Sequence, residues 1–292
     1  MEAVAGTLLS GVVLGGMYGL VALGLTLQYG IARIMNLAYG EFLVAACFAA
    51  LWLFTAAGVS PLLGLLLIVP AAFLLNLLVY RIFLAPLVRR AASPAALETD
   101  SILATFGLLF VVQGAMLAAF GGAYQNYSVL AVPVPLLGAV VPANRLVALL
   151  FAVAIGGALF LWLARTRAGT ALRGVAVNPV AAQLVGIDVR RAAALAFAAG
   201  GALVAAGGVL VSMFLTFNAA MGVVFTMKAL VVVIMGGVGN LLGCLVAGLL
   251  LGLAETAVAA WVDPGLTLAA TYALFLGVLI ARPAGLFGRV AR

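Results

Sequence analysis

The residues able to do chemistry in this chain are few, and most stand inside apolar runs. There is no histidine, and Lys228 is the single lysine. Without imidazole a Ser-His-Asp triad and histidine-based metal sites are impossible, and no Gly-x-Ser-x-Gly elbow occurs. Lys228 stands between Met227 and Ala229, not beside the Gly and Ser/Thr of a phosphate cradle, so any ATP used must be hydrolysed by another subunit. What remains is a set of polar groups among apolar residues: Asn36, Tyr39 and Glu41 between two hydrophobic runs, Gln113 in a later one, then Lys228, Asn240 and Glu255. Such groups mark a solute route or a structural hydrogen bond. Lys228 is expected to snorkel to the membrane interface, with contact to a solute as the alternative. Glu255 costs ~2.5 to 3.5 kcal/mol at mid-span and is expected to face the bundle as a hydrogen-bond partner.

The elements that must position these groups are set by composition. Of 292 residues, 67% are hydrophobic and 7% charged, too few charges to cover the surface of a soluble domain. Apolar runs of roughly 20 residues recur, the length a helix needs to cross ~30 Å of hydrocarbon, and strand alternation is weak. The expectation is an all-α polytopic membrane protein of one domain, residues 1–292, with about eight to nine transmembrane helices, some broken. The net charge of +7 comes from arginines beside spans and carries no nucleic-acid signal. Cys47 and Cys244 lie inside apolar runs and read as small buried hydrophobes. Met1-Glu2-Ala3 lacks the positive start of a signal peptide, so the first run is expected to stay in the bilayer.

Along the chain, Gly11, Gly15 and Gly19 recur every four residues and predict a close-packing helix face. Two runs are interrupted, at residues 30–41 and 235–243. Paired interruptions point to a translocation path, because freed backbone groups survive only where protein or water covers them. For 235–243, close packing through its glycines is the competing reading. For 30–41 it is a plain connector in which Asn36 caps the next helix. The longest polar interruption, 165–191, carries five arginines and belongs on the cytoplasmic face. Within it Asn178-Pro179 predicts a helix start and Gly186 its end, giving a short helix over 178–188. Counting crossings puts the N-terminus outside, the loops 121–144 and 217–223 outside, and the C-terminus with Arg282, Arg289 and Arg292 inside.

Three motifs in order carry a resemblance. Tyr18-Gly19-Leu20 through Asn36-Leu37-Ala38-Tyr39-Gly40-Glu41 is the first. The second is Arg167-Ala168-Gly169, Arg173, Asn178, Ala181-Ala182 and Gly186-Ile187-Asp188. The third is Lys228-Ala229-Leu230, Met235 through Asn240, Gly243 and Glu255. Together they resemble the branched-chain amino-acid type of ABC importer permease over nearly the whole chain. One departure is Tyr39, where that family often has histidine. The resemblance implies an ABC importer permease fold in a bacterial inner membrane. It implies a second permease, two cytoplasmic ABC ATPases that hold ATP-Mg, an extracytoplasmic substrate-binding protein and no cofactor in this chain. Substrates would be branched-chain or other small amino acids, or urea, amides or aromatic acids. Asn36, Tyr39, Glu41, Gln113, Lys228 and Asn240 would line the pathway; Arg173, Asn178, Ala181, Gly186 and Asp188 would couple to the ATPase. The rival is a secondary transporter or channel that needs no ATPase.

Overall fold

The computed structural model describes residues 2–288 except 92 and 137; Arg289 and Arg292, expected on the inner face, lie outside the described residues. The chain runs α1 (Glu2–Ala32), α2 (Tyr39–Ala57) and α3 (Pro61–Val79), which passes through a π turn (Tyr80–Leu84) into α4 (Ala85–Arg90). Then come α5 (Pro94–Phe120), a hairpin of β1 (Pro133–Leu136) and β2 (Ala139–Pro142), and α6 (Ala143–Arg165). Next are α7 (Arg167–Val177), α8 (Pro179–Leu184), α9 (Val189–Ser212), α10 (Gly222–Gly236), α11 (Leu241–Trp261) and α12 (Thr267–Ala281). Among the described residues eight helices are long and apolar enough to cross a membrane, and α10 is a shorter apolar ninth.

Local chemistry sets the boundaries. Ser60, Ser93, Asn178, Asp188 and Asn240 each cap the helix that follows by accepting from its first free backbone N–H groups. The arginines at 81, 89, 165, 167, 173, 190 and 191 fall at one end of the bundle. The β1–β2 hairpin and Arg145, which donates to Ser10, fall at the other.

Helix α9 is the hub, with α1, α2 and α3 packed on it. Its Ala and Gly residues let backbones approach: a Cβ on Gly208 would overlap the Leu43 carbonyl, and one on Gly200 would overlap Gln28 and the Gly24 carbonyl. The stripe Gly11, Gly15, Gly19 packs along α11, where Gly248 and Gly252 face it. A Cβ on Gly15 would stand 2.7 Å from Leu249 Cα, so the seam is backbone on backbone. Gly15→Leu is therefore expected to cost about 1–3 kcal/mol or more through overpacking. Gly157→Leu, where a side chain would meet open space, should be neutral. Thermal unfolding of the two purified variants checks this; equal midpoints would remove the seam from the account. Cys47 and Cys244 are buried and free, the first donating to the Gly208 carbonyl and the second at 2.9 Å from Thr26 Oγ1.

Two sequence expectations change here. The connection 217–223 was expected as a loop outside the bundle, yet Phe217 is fully buried, edge-on to Phe48 in the middle of α2 at 5.2 Å. Gln125 of the long loop pairs with it through two backbone hydrogen bonds. The chain after α9 thus folds back into the bundle, and α10 begins inside it. At 15 residues α10 is about 22 Å long, less than a full span. The interruption at 235–243, by contrast, is a tight turn. Gly237 and Gly239 take positive φ, and a Cβ on Gly236 would overlap the backbone of Gly243. The glycines there serve close packing, and the broken span lies one helix end earlier than the glycine cluster suggested.

Candidate functional site

Between α1 and α2, residues 33–38 leave the helical path; Arg33 is exposed, and 34–38 run inside the protein, buried or half-buried. Asn36 and Ala38 are fully buried, as are Tyr39 and Glu41 at the start of α2. Backbone groups freed here need partners, and side chains from two other helices supply them. Ser101 of α5 accepts from Met35 N–H; Thr105, one turn on, accepts from Leu37 N–H and donates to the Met35 carbonyl. Thr226 of α10 accepts from Gly40 N–H at 2.8 Å and lies 3.2 Å from the Leu37 carbonyl. Asn36 closes an Asx turn on Ala38 N–H and donates to Gln28, which donates to the Phe197 carbonyl of α9. The Tyr39 hydroxyl donates to the Val21 carbonyl at 2.6 Å.

At this point two helix N-termini meet. A Cβ on Gly40 would overlap the carbonyl of Gly222, and a Cβ on Gly222 would overlap the Glu41 carboxylate. The starts of α2 and α10 therefore touch, with Glu41 wedged between them. Neither Glu41 oxygen has a hydrogen-bond partner among the described residues. Helix N-termini carry partial positive charge, which favours a carboxylate there. The arrangement is a fully buried carboxylate, without a hydrogen-bond partner among the described residues, beside two N-terminal dipoles.

A second polar cluster lies apart from the first. Lys228 of α10 bonds Glu255 of α11 at 2.9 Å and Tyr18 of α1 at 2.7 Å. Tyr18 in turn donates to Glu255, as does Thr271 of α12. The ammonium also sits 4.9 Å from the centre of the Tyr18 ring. Lys228 does not run out to the interface, as the sequence reading had it. It turns inward because Glu255, 27 residues on, is a buried partner that desolvated charges require. Glu255 faces the bundle as a hydrogen-bonded group, and the cation it lacked in sequence is this lysine.

Of the other pathway candidates, Gln113 is half-buried on α5 and has no side-chain partner among the described residues. Asn240 stands at the arginine-bearing end, capping α11 and donating to the Phe287 carbonyl. The structure gathers Asn36, Tyr39 and Glu41 and leaves Asn240 and Gln113 outside that group. It adds Gln28 and Thr226, single polar residues in apolar stretches, and Ser101 and Thr105, one helical turn apart just after Glu98-Thr99-Asp100.

The family model described as branched-chain amino acid transport system / permease component matches residues 7–282. The chain belongs to this family. The permease is 27% identical to the high-affinity branched-chain amino acid transport system permease protein LivH of Salmonella typhimurium, over 96% of this chain and 94% of that one. It is 27% identical to BraD, the corresponding permease of Pseudomonas aeruginosa, over 97% and 95%. A probable LivH of Methanocaldococcus jannaschii is 30% identical over 81% and 75%. No solved structure matches the chain.

The permease's loop 165–191 holds two helices where one was expected. Thr166 accepts from Gly169 N–H to start α7, and a Cβ on Gly169 would overlap the backbone of Leu163, so this glycine permits the sharp reversal from α6. Helix α7 buries Leu172 and Val175 against the bundle, a helical stripe too short to stand out in sequence. Arg173 reaches back to the Ala164 carbonyl at 3.3 Å. Asn178 accepts from Val180 and Ala181 N–H and opens α8, whose end is followed by Gly186 at φ 82°. Asp188 then caps α9 through Arg190 and Arg191 N–H. The tip of this loop exposes Val180, Leu184 and Val185, with Leu184 85% exposed. At the opposite end Tyr127 bonds Ser212 at 2.6 Å, and burial pushes its phenol up to about 12, so it stays uncharged there.

Proposed function

We propose that this permease forms half of the membrane pathway of an ATP-driven importer for a small amino acid, of the branched-chain class or a related polar solute. The observation that carries the reading is the buried, unpartnered Glu41 between the N-termini of α2 and α10. A zwitterion needs one acceptor for its ammonium and one positive pole for its carboxylate, and that junction offers both. Relatives named as permeases of branched-chain amino acid transport systems support the substrate class. The arginine-bearing end faces the cytoplasm of a bacterial inner membrane, with the N-terminus and hairpin outside, on the distribution of arginines.

The partners are a second permease, two cytoplasmic ATPases carrying ATP-Mg and an external binding protein. The apolar tip of α8, exposed on a loop braced by α7, is the surface we assign to the ATPase. Transport proceeds by alternating access: closure of the ATPase pair moves α8, and α7 and α9 pass that motion to the bundle. No covalent step occurs in this chain.

Reconstitution tests the reading. The chain alone in liposomes should move no leucine, and uptake should appear when the ATPase and binding protein are added with ATP. Gly186→Trp should leave the permease folded but uncouple hydrolysis from uptake, because a side chain at φ 82° strains the turn from α8 to α9. Uptake by the chain alone on an ion gradient would favour the secondary-transporter reading. Coupling that survives Gly186→Trp, together with cysteines on α8 that never cross-link to the ATPase, would remove the coupling assignment.

A further inference from the structure

At the arginine-bearing end, outside both polar clusters, a cavity of about 430 Å³ lies between α3–α4 and the start of α9. Arg81, Arg89, Arg190 and Arg191 line it, with Tyr80 at its wall. Arg191 is paired with Asp188 at 3.0 Å. Arg81, Arg89 and Arg190 have no ion pair or side-chain hydrogen bond among the described residues. Setting the orientation of a membrane protein requires arginines at this end but not their convergence on one concavity. Three unpaired guanidiniums around a cavity call for an anion, and the planar fork of arginine suits phosphate oxygens best.

The surroundings say which anion. The basic cavity shares Leu77 and Arg81 with a second groove of about 380 Å³, lined otherwise by Leu74, Leu75 and Leu78. That groove shares Leu75 with an apolar cleft of about 470 Å³ between α2 and α3. Leu74, Leu75 and Leu78 are exposed on the outer face of the bundle, and Leu77 is half-buried. Arg81 is 20 residues beyond Pro61, about 30 Å of helix, so it stands where hydrocarbon gives way to headgroups. A charged cavity at headgroup depth, opening onto a continuous leucine-lined trough, matches a molecule with a phosphate at one end and acyl chains below it.

We propose that this is a binding site for an anionic glycerophospholipid, its phosphodiester held by Arg81, Arg89 and Arg190 and an acyl chain lying along Leu74, Leu75 and Leu78. The orientation proposed above decides only which leaflet supplies the lipid. Because the site joins α3–α4 to the first turn of α9, immediately after the 165–191 loop, a bound lipid fixes the base on which that loop moves.

The full-length permease, reconstituted in phosphatidylcholine nanodiscs with phosphatidylglycerol as the probe, tests this by native mass spectrometry of the released protein. Wild type should retain phosphatidylglycerol in preference to phosphatidylcholine. Each arginine at a membrane surface contributes about fivefold, so the triple variant Arg81→Gln, Arg89→Gln, Arg190→Gln should bind it roughly a hundredfold more weakly. Two milder variants guard against misfolding. Arg89→Gln, on the short exposed α4, should lose on the order of fivefold. Leu78→Trp, which changes no charge but fills the trough, should also weaken retention. Unchanged retention in the triple variant, or in both milder ones, overturns the proposal. Full displacement of the lipid by inorganic phosphate also overturns it, since the cavity then serves a soluble anion. Loss of ATPase binding with lipid retention intact overturns it in favour of an ATPase contact.

Discussion

Glu255→Ala is expected to destabilise the permease by about 3–5 kcal/mol, enough to deplete the folded protein from the membrane. The change strands Lys228 as a largely buried ammonium, its side chain 15% exposed, whose remaining partner is the Tyr18 hydroxyl, and it frees Tyr18 and Thr271, which both donate to the lost carboxylate. Four helices, α1, α10, α11 and α12, meet at this one carboxylate, so a single truncation loosens all of them. Lys228→Met alone should do comparable harm, because Glu255 is then left as a buried charge. The double variant Lys228→Met, Glu255→Leu should recover most of the loss, since apolar groups of similar volume replace a buried ion pair at little cost. Thermal unfolding of wild type, Lys228→Met, Glu255→Leu and the double variant in one detergent gives the coupling between the two residues directly. Additive losses in the double variant would mean that the pair acts as two independent groups.

The second large effect is on transport. Glu41→Gln is expected to leave expression, stability and ATPase assembly intact while lowering uptake by about 10-fold to 100-fold, the scale of a charge-assisted hydrogen bond. The substitution is clean because no hydrogen bond depends on either carboxylate oxygen, and Gln has nearly the same shape. A purely structural Glu41 would therefore tolerate it. Asn36→Leu is a different experiment. Asn36 closes a turn on Ala38 N–H and satisfies Gln28, so its loss leaves two buried polar groups unpaired and should lower folded yield before transport is reached. Initial uptake rates per folded permease separate the two cases. Wild-type uptake in Glu41→Gln would return the α2–α10 junction to a packing role.

How much of this was legible in the sequence depends on whether a feature is local. Asn178-Pro179 announced α8 because capping and the fixed φ of proline act within one turn, and the glycine stripe on α1 announced its seam by spacing alone. The interruption at 30–41 was visible as polar residues between apolar runs, and the structure buries it within protein. Nothing local could say that Ser101, Thr105 and Thr226 would satisfy its backbone, since those contacts span 66 to 189 residues. The inward turn of Lys228 was hidden for the same reason. An isolated lysine in an apolar run is cheapest at the interface, and only the fold brings Glu255 to it. The dip after α9 was missed because Phe217 and Ala219 carry no polar signal, and the glycines of 235–243 drew attention to a turn instead.

The antiparallel seam between α1 and α11 joins the beginning of the chain to its end, and this sets a problem for biosynthesis. Tyr18 leaves the ribosome 237 residues before the carboxylate that will accept its proton. At bacterial elongation rates the interval is roughly 10–50 s. Gln28 must likewise wait for Phe197, and Gly15 for Leu249. For that time the first helix stands in lipid with a naked backbone groove and unmatched polar groups, so an insertase or neighbouring early helices must chaperone it until α11 arrives. Truncated nascent chains that stop before Leu241 are the species in which that escort can be caught.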